Sequence, residues 1–200
     1  MKALVGSVYL GNINYYSVLY RANEVLIDGC EHYSKQSYRN RCEIYGANGK
    51  LNLTVPLIRQ GKRVSVKEAL IDNDQNWQKL HWKSIESAYR SSPYFEFYEH
   101  KFSSIYNEKY ESLFQLNNDL QSKVLEVLKV DVNFNETESY KKNYDDFIDY
   151  RESIHPKINP EKQYPENSYI QVFENKLGFI PNLSILDLLF NEGPNAINFL

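Results

Sequence analysis

The rhythm of hydrophobic and polar positions changes along this chain, and each change marks an element. Ala3 to Leu10 is a short apolar run, the pattern of a buried strand, and Gly11-Asn12 breaks it. Ile13 to Asn23 reads as a helix with little polar surface. Glu24 to Asp28 reads as a second strand, ended by Gly29. This strand–helix–strand order predicts a parallel pair with a right-handed crossover. Tyr38 to Tyr45 then alternates. Tyr38, Asn40, Cys42 and Ile44 are expected on one face, and Arg39, Arg41, Glu43 and Tyr45 on the other. Asn48-Gly49 signals a hairpin turn. The return strand, Leu51 to Leu57, places Leu51, Leu53, Val55 and Leu57 on one face, with Pro56 at an edge or at its end. Val64 to Ile71 predicts a further strand.

From Asn76 the period becomes helical. At about 100° per residue, Trp77, His81, Trp82, Ile85, Ala88 and Tyr89 share one side, with Lys79, Lys83, Glu86 and Arg90 opposite. Ser92-Pro93 reads as a cap and first helical position for the next helix. Leu113, Leu116, Leu120, Val124 and Leu128 mark a longer stripe. Asn133 to Ser168 is polar, carries three of the seven prolines, and is expected to be a long connection, partly ordered as a lid. SILDLLFNEGPNA predicts a short buried helix closed by Gly193 and Pro194.

The fold class expected is α/β (or α+β). A small mixed sheet has a parallel βαβ start and a hairpin, and a mainly helical C-terminal half follows. The whole chain, 1–200, reads as one domain: 1–75 mainly sheet, 76–130 helical, 131–168 the polar connection, and 169–200 a C-terminal helical segment.

Composition narrows the function classes. Two hundred residues with 42% hydrophobic and 24% charged are ordinary for a globular protein that buries its own core. A formal net charge of −3 argues against a nucleic-acid backbone as partner. No run is long enough to span a bilayer, and the opening MKALVGSVYL lacks a following cleavage site, so a cytoplasmic protein is expected. Cys30 and Cys42 do not make a zinc site, and neither a metal nor a cofactor is expected.

Two segments concentrate hydrogen-bonding side chains: EHYSKQSYRNRC (31–42) and WQKLHWKSIESAYRSSPYFEFY (77–98). They suggest a polar, aromatic-lined pocket for an anionic or sugar-like small molecule. Arg39-Asn40-Arg41, joined by Lys35, is a candidate anion clamp, because guanidinium forks hold phosphates and carboxylates through paired hydrogen bonds. The plainer reading is a solvated strand face paired with Glu43 or Glu31. His32, just past a strand end, is a candidate base or donor, or else a loop histidine without a role. His81 is either a buried residue with a satisfied partner or part of a cleft wall with Trp77 and Tyr89. Tyr9 is a further aromatic candidate for the ligand site. His100 and His155 have no supporting context. The chain has no GxSxG elbow, Walker loop, HExxH or GxGxxG after the first strand.

The order of segments resembles the WbqC-like protein family along nearly the whole chain. It runs from the opening strand and the Tyr15-Tyr16 helix through Lys35, Asn40-Arg41 and Leu53 to Pro56. It continues to Trp77, His81, Tyr89, Pro93-Tyr94-Phe95 and Ser184-Ile185-Leu186-Asp187-Leu188-Leu189. The resemblance implies a transferase acting on a sugar or sugar nucleotide in surface-polysaccharide (O-antigen-type) biosynthesis, aminoacyl (glycine) transfer being one form. In it, arginines would hold the donor and His81 or His32 would take the acceptor's proton. A nucleotidyltransferase-like enzyme and a non-catalytic binding subunit with a protein partner are the alternatives. This chain departs from many relatives. Ser7-Val8-Tyr9 stands where they carry Gln-Pro before an aromatic residue, Gly29-Cys30 where they carry paired aspartates, and His32 where a glutamine follows.

Overall fold

A computed structural model describes residues 1–61, 63–158 and 168–200. β1 (Lys2–Gly6) and β2 (Glu24–Asp28) lie parallel, Ala3 opposite Val25 and Val5 opposite Ile27, joined through α1 (Ile13–Arg21). The Asn12 side chain caps α1 by accepting the Tyr15 N–H at 2.9 Å. β1 is shorter than its apolar run. Val8 to Leu10 leave the strand yet stay buried.

β3 (Arg41–Gly46) and β4 (Gly49–Thr54) form the hairpin, a two-stranded sheet of its own. Gly46 pairs with Gly49, so Ala47 and Asn48 make the turn. Gly49, at φ 105°, takes a backbone angle that favours glycine. Both faces of β3 are covered, which is why Tyr45 is as buried as Cys42 and Ile44, and Glu43 is only a little more exposed. The strand expected over Val64 to Ile71 is absent. Its backbone makes only isolated bridges, His32 with Ser65, Leu57 with Ile71 and Leu70 with Ser112. It winds through turns instead.

α2 (Trp77–Tyr89) buries Trp77, His81, Ile85, Ala88 and Tyr89, while Trp82 is half-buried and stacks on Phe95 at 6.2 Å. α3 (Phe95–Asn107) starts later than Ser92-Pro93 predicts, because the Ser92 hydroxyl donates back to the Tyr89 carbonyl at 2.6 Å. α4 (Leu113–Leu128) is capped by Ser112 and ends at Lys129 in the left-handed region, φ 56°. α2 packs on β3 and α3, and α3 on α4.

The stretch expected to be a polar connection contributes two strands, β5 (Phe134–Glu136) and β6 (Ile148–Asp149). They complete a parallel sheet in the order β5-β2-β1-β6. At three and two residues they are too short to leave a periodic signal. Of that stretch, residues 159–167 lie outside the described residues. After a short α5 (Glu174–Leu177), α6 (Ile185–Glu192) is enclosed over Ile185–Asn191 against α1, α3 and β3. Gly193, at φ 53°, turns the chain into a closing 3₁₀ segment beneath the Tyr94 ring.

Candidate functional site

The carboxyl ends of the parallel strands are where open α/β sheets commonly bind ligands. Here that edge is filled by charged side chains that satisfy one another. Asp28 ends β2. Its Oδ1 accepts the N–H groups of Cys30 and Glu31 (both 3.0 Å) and the Thr137 hydroxyl (2.8 Å), and its Oδ2 meets Arg151 at 2.7 Å. Arg151 also grips Asp149 and donates to the carbonyls of Lys141 and Lys142. Beside it, Arg39 donates Nε and Nη2 to the two Glu31 oxygens at 2.9 and 2.8 Å, and Nη2 also reaches the Arg151 carbonyl. Arg39 is 2% exposed. It therefore holds Glu31 rather than facing outward with Arg41. Burial pushes the Glu31 carboxyl above its ordinary range, against the pull of Arg39.

His81 is also enclosed. Its Nδ1 lies 2.9 Å from the Tyr9 hydroxyl, which lies 2.7 Å from the Tyr106 hydroxyl. The Thr54 backbone lies beside the ring and favours its charged form, but burial outweighs it. Burial lowers the His81 pKa to about 4, so the imidazole is neutral at pH 7. Trp77 meets it edge-on at 5.2 Å. Tyr89 is fully buried on the same helix, and its hydroxyl accepts the Tyr45 N–H at 3.1 Å. Tyr9, His81, Trp77 and Tyr89 are thus core groups. His32 is exposed and stacks on Tyr140 at 6.0 Å.

The open hollow lies on the other side of Thr54. It measures about 920 Å³. Its floor is apolar, formed by Val55, Pro56, Leu57, Val64 and Ala69. Tyr33 supplies an aromatic ring, and Lys35, Arg59 and Arg63 supply three cations. Among the described lining residues there is no carboxylate. Asn40 anchors one wall through Nδ2 to the Val55 carbonyl at 2.7 Å, with the Val55 N–H returned to the Asn40 carbonyl at 2.8 Å. Thr54, whose backbone lies beside the His81 ring, is part of the same wall.

Of the residues expected at a ligand site, this groove therefore unites Lys35 and Asn40. Arg41 lies at the start of β3 and donates Nη2 to the Gln36 carbonyl at 3.0 Å. Tyr33, Arg59 and Arg63 join Lys35 and Asn40 without a sequence expectation behind them. The signal available was the basic, glycine-containing run Arg59-Gln60-Gly61-Lys62-Arg63, which has no strand or helix period. Among the described residues, no group of three or more His, Cys, Asp or Glu is placed to hold a metal ion, and no helix is long and apolar enough to cross a membrane.

The model of the WbqC-like protein family matches residues 7–157 and 157–199. The chain is also 25% identical over 223 aligned residues to an uncharacterized protein of Mycobacterium tuberculosis, Rv1507c, covering 99% of this chain and 96% of that one. No solved structure matches it.

Proposed function

We infer that this chain, which belongs to the WbqC-like protein family, binds a phosphate-bearing ligand of the sugar-nucleotide class in the groove beside Tyr33. We read it as a cytoplasmic transferase of surface-polysaccharide synthesis. The observation that carries the reading is the pairing of an apolar, tyrosine-edged floor with three cations and no described carboxylate. A flat base packs on such a floor, while Lys35, Arg59 and Arg63 take the phosphates through charge-assisted hydrogen bonds. His81 keeps a share in this reading as a support for the Thr54 wall. A binding role without catalysis is the second reading. It is favoured because the described lining holds no histidine, cysteine or carboxylate to move a proton.

Thermal unfolding with UDP, GDP, UDP-glucose and GDP-mannose tests the binding. A ligand at about 100 times its Kd stabilises by about 2.7 kcal/mol. The stabilisation is expected to fall steeply with salt and to weaken at least about tenfold in affinity in Arg59→Ala/Arg63→Ala. Equal stabilisation of wild type and variant would remove the groove from consideration. Release of the nucleotide from the sugar conjugate in the presence of an acceptor separates transfer from binding alone.

A further inference from the structure

Leu57, Ile58 and Arg59 have a hollow on either side. One is the cationic groove. The other measures about 720 Å³ and shares these three residues as a common wall. The ribbon between them is tied down. Leu57 bridges Ile71, the Ile58 N–H donates to the Leu70 carbonyl at 2.9 Å, and the Gln60 side chain accepts from the Leu70 N–H at 2.8 Å while donating to the Glu68 carbonyl at 3.0 Å. The wall is therefore a fixed divider, not a loose flap.

The chemistry changes across it. The second hollow mixes amides (Asn73, Gln75) with carboxylates (Asp72, Asp74, Glu111). Lys109 is the cation it adds to Arg59. Its apolar edge is aliphatic, with Ile58 49% and Leu70 39% exposed. A phosphate would be repelled by the three carboxylates. A nucleobase would find no aromatic ring among the described lining. A sugar ring suits its open part, since the exposed Asp74 and Glu111 can accept from vicinal hydroxyls while aliphatic side chains cover the ring's C–H face; the Asn73 and Gln75 amides already donate to the Tyr110 carbonyl and to Asp72. Arg59, common to both linings, is placed to hold a phosphate at the junction.

We propose that this second hollow is the glycosyl subsite of the cationic groove, an inference that rests on the phosphate reading given above. One ligand lies across the divider, its nucleoside diphosphate over Tyr33 and the cations, its hexose between Asp74 and Glu111. The full chain is titrated calorimetrically with UDP and UDP-glucose, and with GDP and GDP-mannose. The wild type is expected to bind at least one sugar conjugate about tenfold more tightly than its parent nucleotide. Asp74→Asn/Glu111→Gln alters two exposed side chains. It is expected to abolish that preference and leave the affinity for the parent nucleotide unchanged. Parent and conjugate binding equally in the wild type overturns the subsite while sparing the phosphate groove, as does a preference that survives the double variant. Absence of binding by all four ligands overturns the groove and the subsite together.

Discussion

Replacing His81 by glutamine removes a titrating ring from the core, and the consequence is a pH profile. The folded-state pKa is about 4 and the ordinary value is 6.5, because the ring is buried. At about 1.4 kcal/mol per pH unit this difference is worth about 3 kcal/mol. Between those two values the unfolded chain binds a proton that the folded chain refuses. Stability from this residue is therefore complete above about pH 6.5 and is lost as pH falls toward 4. Urea unfolding followed by the fluorescence of Trp77 and Trp82 gives the stability of wild type and His81→Gln at pH 4.5, 5.5, 6.5 and 7.5. The two differ by a fixed amount at high pH, set by how well glutamine serves Thr54 and Tyr9. On acidification the wild type should lose about 2–3 kcal/mol relative to the variant by pH 4.5. A difference that stays constant across the series would refute the enclosure of this ring. An imidazole NMR titration near pH 6.5 would do the same, and would return His81 to the list of solvent-facing bases.

Asp187 gives the opposite sign. Burial raises its carboxyl to about 6, although Tyr169 and Gln171 donate to Oδ2 at 2.5 and 2.8 Å. Its contribution is complete below about 3.8 and is lost as pH rises through 6, about 3 kcal/mol in all. Asp187→Asn should gain on the wild type by that amount between pH 4 and 7 in the same urea series, and parallel curves would refute it. Arg39→Met strands the buried Glu31 carboxylate and is expected to cost about 3–5 kcal/mol. Glu31→Met/Arg39→Met should recover most of that loss in the same unfolding assay. A double variant no better than the single one would show that the pair's value lies elsewhere.

Where each part of the molecule was legible follows from how local its cause is. Glu24–Asp28 is a strand as expected, because its apolar residues lie between a helix end and the Gly29 break. The buried face of α2 follows its period for the same reason. Pairing of Arg39 with Glu31 was one of the plainer expectations, but its burial was not, because alternation applies only inside a strand. β3 begins at Arg41, and the partner of Arg39 is Glu31, on the loop after β2. His81 could be narrowed to two environments, and the choice depended on Tyr9, Tyr106 and Thr54, remote residues that no helical period reveals. The groove was half visible. Lys35 and Asn40 stand in a dense polar segment, whereas Arg59 and Arg63 reach it only because turns fold their loop back along Leu70.

The parallel sheet has a further consequence for synthesis on the ribosome. Its central pair is complete once Asp28 has emerged, but Val25 must wait for Phe134 and Ala3 for Ile148. At ordinary translation speed that interval is on the order of ten seconds. Throughout it, both flanks of a hydrophobic nascent pair stay open to neighbouring chains, which makes this the window in which a chaperone matters most. The last two guards to arrive are very short strands, and they close the flanks of the sheet before α6 has been made.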